Sequence, residues 1–148
     1  MKSKQVFSVL ALLAAVLLAG CHSMGGSLSE RFNPAPVVRT FEAPQDRVFV
    51  AAKAALEAMG YTVRSALPTR GVIEASGRIF QDNSFRSTDQ HSCRVEITST
   101  REGAVTVRLE VRKASEERTA AGAMSQSERV VPEGGTHARF FEELQGRL

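Results

Sequence analysis

The residues best suited to chemistry stand together in the stretch DQHSC at 89–93. Asp89, His91 and Cys93 occupy alternate positions, so on a β-strand their side chains would share one face. A carboxylate, an imidazole and a thiolate can all ligate zinc, which makes the three residues a candidate metal site. Cys93 and His91 are also a candidate nucleophile and base, although this pair would need a third group to orient the histidine. The alternative is that strand alternation alone aligns them and that Cys93 is a small buried residue.

A second candidate set consists of arginines that fall out of phase with the apolar residues of the predicted strands. A guanidinium fork binds carboxylates and phosphates well, so a sheet face with several forks could dock a partner protein, a cell-wall peptide or a lipid headgroup. Glu74, Glu96 and Glu110 lie among the arginines, and cross-strand salt pairing on a solvated face is the alternative. The candidate face comprises Arg64, Arg78, Arg94, Arg108 and Arg112.

Two further observations limit the function. The segment 80–91 offers Phe80 or Phe85 as an exposed aromatic anchor for a partner, with a core contact as the alternative. The sequence contains no Gly-rich phosphate loop, no HExxH, no CxxC and no Gly-x-Ser-x-Gly motif. The sequence therefore predicts no cofactor.

The front of the chain predicts a secretory signal over residues 1–20. Lys2 and Lys4 precede an apolar run, and this run is shorter than the roughly 20 residues that a membrane-spanning helix needs. Removing the two lysines from the 19 lysines and arginines leaves 17, against 16 acidic residues. This balance gives no reason to expect nucleic acid as a partner.

The residues Leu18-Ala19-Gly20-Cys21 resemble the lipobox of bacterial lipoproteins. The resemblance implies that the Cys21 thiol takes a diacylglycerol, that cleavage falls before Cys21 and that the new amine is also acylated. Several acyl chains, at about 0.8 kcal/mol per buried CH₂, hold a protein stably on a membrane. His22 stands where a retention signal for the inner membrane would be, so the periplasmic face of the outer membrane is expected in a host with two membranes. Residues 21–36 read as a flexible tether.

Alternation of apolar residues predicts strands in the remainder of the chain. The predicted strands span 37–43, 61–66, 72–80, 93–100 and 105–113. In the third strand, Ile73, Ala75 and Ile79 are predicted to face the core. In the fourth strand, Cys93 falls in phase with Val95, which favours a buried thiol. The last two strands are predicted to form a hairpin.

Two amphipathic helices are predicted, over 44–60 and 136–148. Pro44 suits the first turn of the first helix, Gly60 is placed to end it, and Thr136 is the predicted N-cap of the second.

The stretch 114–135 has no sustained period, and a structureless loop of that length is unusual in a small domain. It is therefore predicted to contain a short helix or an edge strand. The order β-α-β-β-β-β-α predicts a single two-layer α+β domain over 37–148, with an antiparallel sheet and both helices on one face.

Two segments carry a wider resemblance. EAPQDRVFVAAKAALEAMGYTVRSALPTRGVIEA, at 42–75, is similar to the opening of small lipoprotein domains of bacterial envelopes. HARFFEELQGRL, at 137–148, resembles the terminal helix of an uncharacterised family of such lipoproteins. The β-α-β-β layout also resembles the helix-grip domain of the outer-membrane assembly lipoprotein BamC. These resemblances imply a fold and transfer no catalytic residue.

The function expected from the sequence is that of a membrane-anchored bacterial lipoprotein with a non-catalytic binding or structural role. Its expected partners are the membrane, through Cys21, and another envelope protein or a cell-wall component. The alternatives are a small envelope hydrolase, or a metal or ligand carrier that uses Asp89, His91 and Cys93.

Overall fold

The structure, a computed structural model, describes residues 34–81, 87–100 and 103–148. The predicted signal peptide, Cys21, the tether up to residue 33 and Phe85 lie outside the described residues. The strands are β1 Val37–Phe41, β2 Thr62–Leu67, β3 Val72–Gln81, β4 Ser87–Ser99, β5 Val105–Arg118 and β6 Met124–Val130. The helices are α1 Gln45–Ala58 and α2 Gly135–Gln145, with a 3₁₀ turn at Pro68–Arg70.

The strands form one antiparallel sheet in the order β1-β5-β4-β3-β2. β5 is longer than β1 and β6, which both pair with the edge of β5 that faces away from β4. β1 pairs with the first half of β5 and β6 with its second half. Both helices pack on the same face of the sheet and contribute to a single core. This arrangement confirms the predicted α+β class and the predicted hairpin of β4 and β5.

The core lies between the helices and the inward-facing residues of the sheet. Cys93, Val95 and Ile97 of β4 are buried, as predicted from alternation, and so are the four apolar residues at alternate positions from Val105 to Val111 in β5. Leu56 of α1 is fully buried against this layer. Removal of such apolar area from water is the main term that stabilises a fold of this size.

α2 closes the core with aromatic contacts. The ring of Phe141 stacks on Phe41 of β1 with centroids 6.3 Å apart, and Phe140 meets Phe141 edge-on at 5.2 Å. The Arg39 guanidinium lies over the Phe141 ring, 4.6 Å from its centroid. α2 begins at Gly135 after the extended residue Gly134, which makes no side-chain cap, so the prediction of Thr136 as the N-cap is wrong.

The stretch 114–135 contains an edge strand, which was one of the two predicted alternatives. β5 continues to Arg118, the chain turns over residues 119–123, and β6 returns along β5. All but the last residue of β6 is exposed. A strand with both faces in water needs no alternating apolar residues, and this explains why the sequence shows no period there.

A bulge in β3 reverses the predicted orientation of Ile79. Ser76 pairs with Ser92, but Ile79 pairs with Gln90, so one extra residue is inserted between the two pairs. Because side chains alternate, a shift of one residue moves every later side chain to the opposite face. Ile79 therefore lies on the face away from the helices and is 65% exposed, so the prediction that it faces the core is wrong.

The end of α1 fixes the position of Tyr61. Gly60 has φ +85°, its N–H donates to the Glu57 carbonyl, and the Tyr61 N–H donates to the Leu56 carbonyl, each at 3.0 Å. This is a Schellman ending, which confirms Gly60 as the residue that ends the helix. Pro44 lies just outside α1 as its N-cap residue, one position before the predicted first turn.

Candidate functional site

The sheet face turned away from the helices, here called the outer face, carries a lattice of charged side chains. Arg94 of β4 lies at its centre. Its guanidinium donates to Glu74 Oε1 of β3 at 2.7 Å and to Glu96 Oε1 of its own strand at 3.0 Å. These side chains are each about half exposed, so the pairs orient the arginine more than they stabilise the fold.

Arg112 of β5 is held in the same way. Its Nε donates to Glu110 Oε1 at 2.5 Å, and its Nη1 lies 3.5 Å from Glu128 Oε1 of β6. The hydrogen bond that Arg112 donates to Glu110 raises the pKa of Arg112, and the bond that Arg94 donates to Glu96 raises the pKa of Arg94. Cross-strand salt pairing, the alternative considered for this face, therefore describes both arginines.

Arg108 differs from its neighbours. It stands on β5 directly opposite Glu96 of β4, yet within the described part of the chain its guanidinium has no hydrogen bond and no ion pair. It lines an open depression of about 320 Å³ on the outer face. The other lining residues are Arg94, Glu96, Glu110 and Arg112. Among the described residues that line this depression, Arg108 is thus the arginine whose guanidinium no carboxylate engages.

The two remaining predicted arginines occupy different positions. Arg64 lies at a bulge in β2, and its Nε donates to Ser76 Oγ at 2.7 Å, so it stands at the margin of the outer face. Arg78 lies in the β3 bulge and lines a depression that also contains Tyr61 and residues at the end of α1. The structure therefore places Arg78 on the helix side of the sheet, apart from the other four.

Asp89, His91 and Cys93 share one face of β4, as their spacing predicts, but they do not converge. Asp89 Oδ2 lies 2.7 Å from Lys113 Nζ, and Asp89 Oδ1 accepts from Ser115 Oγ at 2.5 Å. These two hydrogen bonds lower the pKa of Asp89. Among residues 34–81, 87–100 and 103–148, no group of three or more His, Cys, Asp and Glu side chains is placed to hold a metal ion.

The Cys93 thiol is buried beneath the end of α1, with 3% of the residue exposed. Burial raises the pKa of the thiol to about 11, and the nearby Tyr61 hydroxyl offsets a small part of this rise. Burial also raises the pKa of Tyr61 above its usual value. A thiol with so high a pKa is almost fully protonated at neutral pH and is a poor nucleophile. The interpretation of Cys93 as a small buried residue is therefore confirmed.

Sequence reasoning missed the depression on the helix side of the sheet, here called the α1-end depression. It encloses about 370 Å³. Its lining residues are Ala58, Met59, Gly60, Tyr61, Gly77, Arg78, Phe80 and His91. The available signal was Gly77, because a glycine inside a strand often marks a bulge or a close approach. Phe80, one of the two predicted aromatic anchors, is 64% exposed here.

His137 in the first turn of α2 was also missed as a feature of interest. Only 2% of the residue is exposed, and its Nδ1 atom has no hydrogen-bond partner among the residues that the structure describes. Burial lowers its pKa, because the charged imidazolium loses its hydration there. Burial therefore favours the neutral form of this imidazole over the charged form.

Comparison with known proteins gives no family for the chain: no protein-family model matches it, and no curated protein does. Within the described ranges, neither helix has the length and apolar character that crossing a membrane would require.

Proposed function

We propose that the protein is a lipid-anchored lipoprotein of the bacterial envelope whose domain binds another envelope component without catalysing a reaction. The sequence supports the anchor: Cys21 closes a lipobox-like stretch behind an apolar signal. A tether of 16 residues reaches roughly 20–25 Å as a flexible coil. The domain would therefore lie close to the membrane, on the periplasmic side of the outer membrane in a host with two membranes.

The binding part of the proposal rests on the Arg108 guanidinium, which has no partner among the described residues. Arg94 and Arg112 on either side are engaged by carboxylates, so they stiffen the outer face and leave Arg108 as the group that can accept a new anion. A guanidinium forms paired hydrogen bonds with a carboxylate or a phosphate. Neither α1 nor α2 covers this face, so in the described part of the chain a partner surface can approach it directly.

The chemistry of the outer face supports a polar, carboxylate-bearing partner. Three arginines and two glutamates line the depression, and a surface of this kind suits a polar partner that presents a carboxylate to Arg108. An envelope protein or a cell-wall peptide meets this description. The hydrolase and carrier alternatives relied on Asp89, His91 and Cys93, and the engaged carboxylate and the buried thiol give them no support.

The proposal is tested by cross-linking mass spectrometry on intact cells. Separate cultures produce the native lipoprotein, the variant Arg108→Ala or the variant Arg139→Ala. Arg139 is the matched control, because it is an exposed arginine on α2 with no ion pair in the described part of the chain. We expect a reproducible partner cross-linked to the outer face. The yield of this cross-link is expected to fall roughly tenfold in Arg108→Ala, because the variant loses a hydrogen bond between charged groups. Equal yields from the two variants, or self-links alone, would contradict the proposal.

A further inference from the structure

The α1-end depression is built by two irregular features of the chain. The Schellman ending of α1 returns the chain so that Tyr61 lies over β3, and a β-carbon on Gly77 would be only 3.3 Å from Tyr61 Cε1. The β3 bulge then directs Arg78 and Phe80 to the helix side, since Phe80 pairs with Asp89, which shares a strand face with Cys93. The hollow lies where α1 stops and the sheet continues.

The walls of this depression are largely apolar and aromatic. Phe80 is more than half exposed, Tyr61 is half-buried, and Met59 and Ala58 contribute the end of the helix. A volume of about 370 Å³ lies at the small end of the range of ligand sites in proteins. It suits one large side chain better than an extended ligand.

The charge of the depression has one sign. The Arg78 guanidinium has no hydrogen bond or ion pair within the described ranges, and His91 stands beside it. Among residues 34–81, 87–100 and 103–148, no carboxylate lines the hollow, in contrast to the depression around Arg108. The carboxylate of Asp89 is cross-strand from Phe80, but Lys113 and Ser115 hold it. An anionic group is therefore the complementary partner for Arg78.

The end of α1 adds hydrogen-bond acceptors. The Schellman hydrogen bonds use the carbonyl oxygens of Leu56 and Glu57, whereas those of Ala58 and Met59 accept no backbone hydrogen bond among the described residues. Carbonyl groups at a helix end are left for water or a ligand. A polypeptide brings N–H donors that can meet them, and a fatty acid does not.

We propose that the α1-end depression binds a segment of a partner protein in which a large apolar side chain adjoins a carboxylate. The apolar side chain fills the hollow between Tyr61 and Phe80, and the carboxylate pairs with Arg78. This site lies on the helix side of the sheet, opposite Arg108, and it does not depend on the function proposed for the outer face.

The test is a titration of the full-length, ¹⁵N-labelled lipoprotein in detergent micelles with the peptide acetyl-Gly-Glu-Phe-Glu-Gly-amide, followed by amide chemical shifts. We expect shifts centred on Tyr61, Gly77 and Phe80. Two control peptides separate the two parts of the site, one with both glutamates changed to glutamine and one with the phenylalanine changed to alanine. Each control is expected to bind much more weakly than the parent peptide.

The variant Arg78→Gln is expected to weaken binding of the parent peptide roughly tenfold, which is the loss of a hydrogen bond between charged groups. Arg139→Gln is the matched control, because Arg139 is an exposed arginine of α2 that lines neither this depression nor the one around Arg108, and it is expected to bind as the native protein does. Three results would overturn the proposal: no shifts around Tyr61 at millimolar peptide, equal binding of the glutamine peptide, or equal weakening by the two variants. None of these results bears on the partner of the outer face.

Discussion

The Tyr61 hydroxyl lies near the buried Cys93 thiol at the end of α1. Tyr61 reaches this position because Gly60 reverses the chain at the helix end and because Gly77 leaves room for its ring. The pair seals the edge of the core at the point where the sheet extends past the helices. Burial, and not the neighbouring hydroxyl, raises the pKa of this thiol, which is the one cysteine among the described residues and is shielded from solvent.

We expect the native Cys93 thiol to resist alkylation. Raising the pKa to about 11 lowers the thiolate fraction at pH 8 by roughly two orders of magnitude relative to an exposed thiol, and burial slows access further. The measurement is the rate of iodoacetamide modification in buffer and in 8 M urea, with Cys21→Ala as the background so that only one thiol is present. Comparable rates in the two solvents would show that Cys93 is accessible.

Phe141→Ala is expected to destabilise the domain by about 3–5 kcal/mol, because it removes a fully buried ring that contacts Phe41 and Phe140. Urea unfolding followed by far-ultraviolet circular dichroism gives the free energy of unfolding. Glu142→Ala on the exposed side of the same helix is the control and is expected to change it by less than about 0.5 kcal/mol. Similar values for the two variants would refute the packing of α2.

Gly71 and Gly122 form a second matched pair. Both have positive φ, +63° and +83°, but a β-carbon on Gly71 would lie 2.1 Å from the Ile97 carbonyl oxygen, whereas one on Gly122 meets nothing within 4 Å. Gly122→Ala is expected to cost about 1–2 kcal/mol, from backbone strain alone. Gly71→Ala must also displace β4, since the Ile97 N–H donates to the Gly71 carbonyl, and is expected to cost roughly twice as much. The free energies of unfolding of the two variants test this difference, and equal values would contradict the close approach.

His137 predicts how stability depends on pH. Burial lowers its pKa in the folded state below the value of about 6.5 expected in the unfolded chain. As the pH falls towards 5.5, His137 therefore takes up a proton more readily in the unfolded chain than in the folded one. The free energy of unfolding consequently falls as the pH falls from 7.5 through 6.5 to 5.5. Urea midpoints at pH 7.5 and 5.5 measure this loss.

The variant His137→Leu is expected to remove most of that pH dependence, whereas His91→Ala is expected to keep it. The carboxyl of Asp89, whose pKa is lowered, loses its stabilising contribution only at a more acidic pH and does not confuse the comparison. A pH dependence unchanged in His137→Leu would show that another group is responsible.

The sequence predicted those parts of the fold in which one face of an element is buried. Cys93, Val95 and Ile97 alternate because the helices cover one side of β4, so their orientation is visible in the residue types. α1 was predictable for the same reason. β6 was visible only as one of two alternatives, because both of its faces meet water and its residues carry no pattern.

The candidate sites were predictable only in part. Spacing placed Arg94, Arg108 and Arg112 on one face, but it could not show which of them the glutamates engage, since that depends on strand register and side-chain conformation. The positions of Ile79 and Arg78 followed from a bulge that alternation does not reveal. The α1-end depression depends on that bulge and on the helix ending together.

The central claim concerns Cys21, because the proposed function requires this residue to hold the domain at a membrane. The most direct test is the intact mass of the protein extracted from membranes of cells that express the full sequence, compared with Cys21→Ala. We expect a mature chain that begins at Cys21 and carries the added mass of a diacylglycerol and an amide-linked acyl chain. We also expect the Cys21→Ala protein to be absent from the membrane fraction. The melting temperature of its domain is expected to stay unchanged. An unmodified Cys21 in a membrane-associated chain, or cleavage at another residue, would contradict the account.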